Sequence, residues 1–427
     1  MSADTFDLTV AVRQAQRASS YLAAASGAVR NHALLLMAET LRQRQNEILE
    51  CNTLDLEISR ELAIPELVID WLKLTPERLT AAVECLHRLV EAVDPLGRTE
   101  AGRAHPEGYL LSQRRIPLGV VGLVYEAFPD LIVVAAGLCI KSGNSLVLKG
   151  SSETSHSSTA IVQAIQAALD RANLPEGCLE QVPSDRGELV QELATQDRYL
   201  DLVIPYGRPS LVQQVARQAT VPVLTPALGN CYLYIAASAS IQLAAQIILD
   251  SYRSEPDPVN AIEKVLIHPQ ALEVGFSDLR RLLEGRGLEV RGGPIIAERY
   301  PGVKLVEDGE WDKPYLNRVV AFRCIADLGD AIAWINRNSN GHADSIVTDS
   351  YRESQRFASE VNSASVWVNA SPRFLRNTGP GGTVRLGMAS RKGRANSNLR
   401  RPTQAGPIGL EELTTVKQLV QGNGNMD

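Results

Sequence analysis

The stretch IPLGVVGLVYEAFPDLIVVAAGLCIKSGNSLVLKG, residues 116–150, decides the fold class. It begins and ends in apolar runs of strand length. Between them an apolar segment begins at Pro129, and proline is favoured in the first turn of a helix. Two apolar strands joined by one helix are typical of a parallel sheet that is covered on both faces. The stretch therefore predicts a parallel βαβ unit with a right-handed crossover.

The alternation of short apolar runs with amphipathic segments continues along the chain and starts afresh near Cys231. It predicts an α/β protein with two doubly wound lobes, whose ligands bind at the carboxyl ends of the parallel strands. The first hundred residues carry apolar side chains at heptad spacing and therefore predict helices.

Composition excludes several classes of function. The 427 residues include 43 Lys and Arg against 49 Asp and Glu, a net charge of −6, which argues against bulk binding to nucleic acid or an anionic membrane. No secretory signal is visible, and the longest apolar stretch, 131–140, is too short to span a membrane. Six scattered cysteines and six histidines show no metal-ligand spacing. We therefore expect a cytoplasmic protein without a metal site.

Three motifs offer candidate functional residues. Lys149, Ser151 and Glu153 stand where a predicted strand gives way to a helix, a place suited to a phosphate or a ribose, although helix capping alone explains the serine. Cys231 opens a strand and is the thiol best placed for access, although such a cysteine is more often a small buried hydrophobe. His342, in the motif NGHAD, is either a surface loop residue or a polar group in a cleft.

A basic insertion occupies residues 385–401, which hold six Lys or Arg residues with no acidic residue until Glu411. Such a segment is either a solvated loop or a loop that binds an anion or a partner.

Seven motifs in order resemble the γ-glutamyl phosphate reductase family of the aldehyde dehydrogenase superfamily. They read IPLGVVGLVYEAFPD, KSGNSLVLKGSSE, VPVLTPALGNC, VNAIEK, NGHADSIVTD, SVWVNASPRF and GPIGLEEL. The resemblance implies an aldehyde-dehydrogenase-like fold with a β-flap for oligomerisation, and therefore a homo-oligomer. It assigns a cofactor-binding lobe with N-terminal helices, a catalytic-type lobe, and a C-terminal return with the oligomerisation segment to residues 1–226, 227–370 and 371–427.

The resemblance also implies a reaction, the NADPH-dependent reduction of L-glutamate 5-phosphate to L-glutamate 5-semialdehyde in proline biosynthesis. In the family a cysteine attacks the acyl phosphate, and the thioester accepts hydride. The matching segment here places Val259 at the cysteine position, followed by the expected Asn260 and Ala261. Valine has no lone pair and cannot act as a nucleophile. Asn260 remains a candidate for oxyanion support, and Lys149, Ser151 and Glu153 remain candidates for cofactor binding.

Other departures from the family pattern fall at chemical positions. Arginines are replaced by Phe128, Tyr206 and Glu255, and glutamates are replaced by Thr225, Pro314 and Arg385. Pro314 stands where the family glutamate is expected to bond the nicotinamide ribose. This concentration of changes predicts a relaxed or redirected site.

Three hypotheses remain open from the sequence. The chain is an active reductase of glutamyl phosphate or of a related acyl phosphate, and Cys231 as a substitute nucleophile is one way in which it could act. Alternatively, it is a non-catalytic paralogue that binds, regulates or assembles with a true reductase or with glutamate kinase. The third reading is a different enzyme on this scaffold, acting by hydride transfer or hydrolysis without a thiol.

Overall fold

The computed structural model describes residues 6–254, 257–378, 382–390 and 406–422. Within these ranges no helix is long and apolar enough to cross a membrane. Most of the basic insertion, including residues 391–401, lies outside the described residues, as does Glu255.

Five helices form the N-terminal part of the chain, as predicted. They are α1 (Leu8–Ala24), α2 (Gly27–Gln43), α3 (Gln45–Glu61), α4 (Glu66–Leu72) and α5 (Pro76–Glu91). Side chains of Asp7, Ser26 and Thr75 accept backbone hydrogen bonds at the starts of α1, α2 and α5, so each of these helices has a local start signal.

The first lobe is a four-stranded parallel sheet between helices, in the strand order β5-β4-β3-β6. Its elements are β3 (Val120–Tyr125), α6 (Pro129–Lys141), β4 (Ser145–Gly150), α7 (Ser155–Arg171), β5 (Leu179–Val182), α8 (Leu189–Ala194), β6 (Leu202–Tyr206) and α9 (Pro209–Gln218). Every residue of α6 is buried, which explains why this helix is apolar on all sides. The predicted βαβ unit is confirmed.

A second, antiparallel sheet forms the flap. It contains β1 (Thr99–Ala104), β2 (Leu110–Pro117) and β16 (Thr414–Gln421), in the order β1-β2-β16. The apolar run that starts at Ile116 is therefore divided between β2 and β3. The break falls at Gly119, whose φ of +131° is one that other residues rarely adopt.

The second lobe is a seven-stranded parallel sheet in the order β10-β9-β11-β8-β7-β12-β13. Its strands are β7 (Cys231–Ile235), β8 (Ile262–Ile267), β9 (Glu289–Gly292), β10 (Lys304–Leu305), β11 (Val319–Cys324), β12 (Ala343–Val347) and β13 (Ser365–Val368). Its helices are α10 (Ile241–Ser251), α11 (Pro269–Glu284), α12 (Pro294–Arg299), α13 (Leu328–Asn338) and α14 (Tyr351–Glu360).

The chain then returns to the first lobe. Two short strands, β14 (Gly387–Ala389) and β15 (Gly406–Ile408), pair with each other, and the Met388 carbonyl accepts a hydrogen bond of 2.9 Å from the Ala227 amide. Met388 belongs to the same buried apolar cluster as Phe128, Tyr206 and Val259. The two lobes and the return segment therefore share one core around position 259.

The start of α7 is capped from a different helix. The Asp55 carboxylate, on α3, accepts from the backbone amides of His156 (3.0 Å) and Ser157 (2.8 Å) and from the Ser157 hydroxyl (2.5 Å). The prediction that Ser151 caps this region is wrong, because its side chain makes no capping hydrogen bond.

Replacing this cap gives a test of the fold. We expect Asp55→Ala to lower the free energy of unfolding by about 1–3 kcal/mol, because buried amides at a helix start lose their acceptor. Urea denaturation of the purified protein measures the change, with Glu57→Ala on the exposed face of α3 as the control. An equal, small effect of both substitutions would contradict the capping role.

Candidate functional site

Position 259 lies in the core rather than in an open site. Val259 is 0% exposed, in the loop that leads into β8. The side-chain amide of the next residue, Asn260, donates a hydrogen bond of 2.7 Å to the Pro372 carbonyl in the return segment. The Asn260 side-chain amide therefore donates a hydrogen bond to the scaffold, whereas the sequence makes Asn260 a candidate for oxyanion support.

A buried carboxylate holds the loops around this position together. Glu263, on β8, accepts from the backbone amides of Asn230 (2.8 Å), Tyr315 (2.8 Å) and Leu316 (2.7 Å). Burial raises the pKa of Glu263, an effect that Lys264 and the three amides partly offset. A Cβ atom at Gly229 would lie 2.7 Å from the carboxylate, so glycine is required where the loop passes it.

Cys231 is not an accessible thiol, and the prediction that it is the best placed for access is wrong. It is 0% exposed, and its Sγ lies 3.2 Å from Nε2 of His342. Burial, followed by the nearby charges of Asp344 and Glu263, raises the pKa of Cys231 well above its ordinary value. Two other thiols, Cys51 and Cys324, are more exposed.

His342 is likewise buried and not on a surface loop. Its Nε2 lies 2.6 Å from the Val259 carbonyl, and because a carbonyl oxygen can only accept, Nε2 carries the hydrogen. Burial lowers the pKa of His342 to about 4. The neutral imidazole therefore fixes the loop at position 259 and has no free Nε2 lone pair to take the proton of the Cys231 thiol.

Aromatic side chains fill the core beside Val259. Phe128 stacks on Trp71 with ring centroids 4.8 Å apart and meets the edge of Tyr206 at 5.3 Å. All three rings are buried in the core that contains Val259. The space beside Val259 is therefore filled by aromatic rings.

A buried ion pair closes the same region. The Tyr206 hydroxyl donates to Asp257 (2.9 Å), and Arg376 donates to the other oxygen of Asp257 and to the Tyr206 hydroxyl. Burial raises the pKa of Asp257, which the Arg376 charge partly offsets. Arg376 was not singled out from the sequence. In the sequence, Arg376 is distinguished only by its positive charge, in a segment after SVWVNASPRF that contains few motifs.

A cleft remains beside the loop. Its volume is about 460 Å³, and Pro258, Ala261, Trp71 and Tyr252 are among the residues that line it. The Arg78 guanidinium at its wall is already bound to Asp130. A small molecule can therefore approach the loop from this side, but it meets no nucleophile at position 259.

The predicted cofactor residues lie together at the carboxyl end of β4. The Lys149 ammonium is buried and donates to the carbonyls of Gly150 (3.0 Å) and Ser184 (3.1 Å). Burial lowers the pKa of Lys149. Ser151 Oγ and Glu153 Oε2 are buried and have no hydrogen-bond partner among the described residues. An amine, a hydroxyl and a carboxylate in this place suit the hydroxyl groups of a ribose.

Pro314 and Thr225 both lie in segments that backbone hydrogen bonds hold in place. Pro314 precedes the Tyr315 amide that Glu263 holds, so the proline stands in a tightly fixed loop and offers no carboxylate. The Thr225 carbonyl accepts from the Ser390 amide (3.2 Å), which ties the return segment to the first lobe.

Known proteins match this chain over nearly its whole length. The family model described as aldehyde dehydrogenase matches residues 1–270. Gamma-glutamyl phosphate reductase 2 of Synechocystis sp. is 45% identical over 412 residues, covering 96% of this chain and 95% of the relative. The gamma-glutamyl phosphate reductase of Gloeobacter violaceus is 39% identical, covering 98% of each chain. The crystal structure of the Thermotoga maritima gamma-glutamyl phosphate reductase superposes with a TM-score of 0.88 at 32% identity, covering 99% of this chain and 100% of that one.

The buried His342 predicts a loss of stability in acid. Its pKa is about 4 in the folded protein and ordinarily 6.5, so the unfolded chain takes up the proton first. Stability therefore falls as the pH drops from about 6.5 to about 4, by about 3 kcal/mol in total. Urea denaturation at several pH values should show this fall flattened in His342→Gln and unchanged in the exposed control His32→Gln. An unaltered pH profile in His342→Gln would contradict this assignment.

The buried pair of Asp257 and Arg376 predicts that substitutions at the two residues have non-additive effects on the free energy of unfolding. We expect Arg376→Met to cost about 3–5 kcal/mol of stability, because it leaves the Asp257 charge buried and unpaired. Adding Asp257→Asn should recover part of that loss. Chemical denaturation of the single and double variants measures the coupling. The control is Arg356→Met, in an exposed pair with Glu360, where we expect less than about 1 kcal/mol. Simple additivity of Arg376→Met and Asp257→Asn would contradict the buried pair.

Proposed function

The chain belongs to the γ-glutamyl phosphate reductase family within the aldehyde dehydrogenases, and on that premise we propose that it serves proline biosynthesis without carrying out the reduction itself. The reaction of the family is the NADPH-dependent reduction of L-glutamate 5-phosphate to L-glutamate 5-semialdehyde. In the proposal this chain is a non-catalytic member in the cytoplasm. It binds, regulates or assembles with an active reductase or with glutamate kinase.

The observation that carries the proposal is the buried Val259. Thioester formation needs a thiol that can reach the acyl carbon, and an aliphatic side chain with 0% exposure offers neither an electron pair nor access. Losing a covalent catalyst costs several orders of magnitude in rate. Cys231, the nearest alternative thiol by sequence, is buried and has a raised pKa.

The surroundings of Val259 support the same conclusion. Phe128 and Tyr206 replace cations that would hold the phosphate group, and Asp257 adds a carboxylate to the region. A carboxylate repels a phosphorylated substrate. Arg376 contributes a cation, but its guanidinium is already bound to Asp257 and Tyr206. The charges of Asp257 and Arg376 are therefore paired with each other and are not available to bind a substrate.

Membership of the aldehyde dehydrogenase family implies a nicotinamide cofactor, which supplies hydride when bound. Lys149, Ser151 and Glu153 fit the sugar of such a cofactor, since two of them carry buried polar atoms that lack a partner among the described residues. The specific cofactor that the resemblance implies is NADPH.

The exposed edge of the flap supports the partner role. The edge strand β16 carries Val416 and Val420, which are 41% and 56% exposed. An unpaired strand with exposed apolar side chains is a template for pairing with another chain. We propose a homo-oligomer through this flap, and the same edge admits an active family member into a mixed assembly.

A second candidate function is the reductase activity itself, through Cys231. The contact of 3.2 Å between its Sγ and His342 Nε2 favours this reading, because a cysteine beside a histidine is a common nucleophilic pair. It requires the loop at position 259 to open, and it requires the hydrogen on Nε2 to leave the Val259 carbonyl.

An NADPH oxidation assay with enzymatically generated glutamyl phosphate tests both candidates. We expect no turnover above background from the wild-type chain or from Cys231→Ser. We also expect little from Val259→Cys alone, because Phe128 and Tyr206 still fill the site. The Gloeobacter violaceus reductase serves as the positive control. Turnover that disappears in Cys231→Ser would establish the second candidate, whereas turnover that survives it would overturn both.

The partner role has its own measurement. Purified chain is mixed with a purified active reductase or with glutamate kinase, and the mass of the assembly is measured at equilibrium. We expect a mixed assembly, weakened by Val416→Lys together with Val420→Lys at the flap edge. Exclusively separate species at micromolar concentrations would overturn the partner role.

A further inference from the structure

The flap-root cleft is a cavity of about 570 Å³ where three parts of the chain meet. Its walls are the carboxyl end of α5, the start of the flap, and the return segment, with lining residues in the ranges 88–98, 382–385 and 407–412 and at Arg115. Among the described residues, none lines both this cleft and the cleft at Pro258. A volume of this size is typical of sites for small molecules.

Several charged side chains that line the flap-root cleft are already paired. The Arg88 guanidinium forms ion pairs with Glu91 at 2.8 Å and with Glu84 at 3.2 Å. Asp94 is bound to Arg30 at 2.6 Å. These side chains shape the wall at the end of α5, and their charges are neutralised within the protein.

Two further charged side chains are engaged by neutral groups. The Arg115 guanidinium donates to the Glu411 carbonyl at 3.1 Å and to the Thr414 hydroxyl at 2.9 Å. The Glu412 carboxylate accepts from the Gly409 amide at 2.8 Å. These bonds hold the return segment against the flap, and the Glu411 side chain takes no part in them.

Charges of both signs are left without a charged partner in the part of the chain that the structure describes. They belong to Arg98, Arg385 and Glu411. Arg98 and Glu411 are exposed, and Arg385 is half-buried with its Nε bonded to the Thr383 hydroxyl at 3.3 Å. Guanidinium groups suit a carboxylate, and Glu411 suits an ammonium group. The carboxyl end of α5 also favours a cation, because it carries the negative end of the helix dipole.

The wall between these charges is apolar. Val93, directly after α5, is 81% exposed although its side chain is aliphatic. Val384 and the half-buried Leu410 line the same cavity. A ligand that removes these side chains from water gains free energy by doing so.

We propose that the flap-root cleft binds a free α-amino acid with an apolar side chain. Arg98 and Arg385 hold its carboxylate, and Glu411 holds its ammonium group. Val93 and Leu410 cover its side chain. A zwitterion fits better than a simple anion or cation, because either of those would leave a like charge facing it. The site goes beyond the proposed function and does not depend on it. Since the walls come from three parts of the chain, the bound amino acid stabilises the root of the flap.

Isothermal titration of the full chain with L-leucine tests the proposal. Two analogues each lack one charge, since L-leucinamide has no carboxylate and 4-methylpentanoate has no ammonium group. We expect L-leucine to bind with a dissociation constant below about 1 mM and each analogue to bind at least about tenfold more weakly.

Two substitutions should give a crossed pattern with the analogues. Arg385→Met should weaken L-leucine binding about tenfold without weakening that of L-leucinamide, which offers no carboxylate to the guanidinium. Glu411→Gln should weaken L-leucine binding by a similar factor without weakening that of 4-methylpentanoate. We expect both variants to fold normally, because neither side chain belongs to an ion pair among the described residues and Arg115 is held by the Glu411 carbonyl.

The matched control is Arg286→Met. Arg286 is exposed and lines a separate groove, so its loss should leave L-leucine binding unchanged. Absence of L-leucine binding at about 10 mM would overturn the proposal. It would also be overturned if either analogue bound as tightly as L-leucine, or if Arg385→Met and Arg286→Met had equal effects.

Discussion

The Glu263 carboxylate is the interaction on which the region around position 259 depends. It holds the loop before β7, through Asn230, and the loop before β11, through Tyr315 and Leu316, against β8. A buried carboxylate is tolerable only when its oxygens are well bonded, so the three backbone amides both need it and stabilise it. Because amides donate whatever side chain they carry, this frame survives changes at the neighbouring chemical positions. The position of these loops therefore does not depend on which side chains surround position 259.

The buried side chains around position 259 pack against or pair with one another. Val259, Phe128 and Tyr206 share a core, and Asp257 and Arg376 neutralise each other beside them. Each of these side chains fits its neighbours in volume or in charge, as the dense packing of a buried region requires. A thiol placed at position 259 would lie in this packed surrounding, and the nearby Arg376 is already paired with Asp257. Position 259 is therefore part of the interior.

The sequence predicted the fold class because that class depends on local patterns, whereas the loss of the nucleophile at position 259 stays a prediction. It did not predict strands β9 and β10 or helix α12, which are short and weakly patterned. The burial of Cys231 and His342 escaped it, because burial there follows from loops held together by residues distant in the chain. The cap of α7 was assigned to nearby serines, whereas the acceptor is Asp55, 101 residues before His156. Long-range partners leave no periodic signal in one sequence.

The flap pairs β2, which is synthesised early, with β16, which is synthesised late. Strand β2 pairs along its whole length with β16, and Arg115 bonds the Glu411 carbonyl across a separation of 296 residues. Contacts of such high sequence separation form late, since the chain between them must be ordered first. While the ribosome synthesises the second lobe, one edge of β2 therefore remains unpaired and can pair with other strands. Misassembly through the open edge of β2 is therefore a risk until β16 has been made.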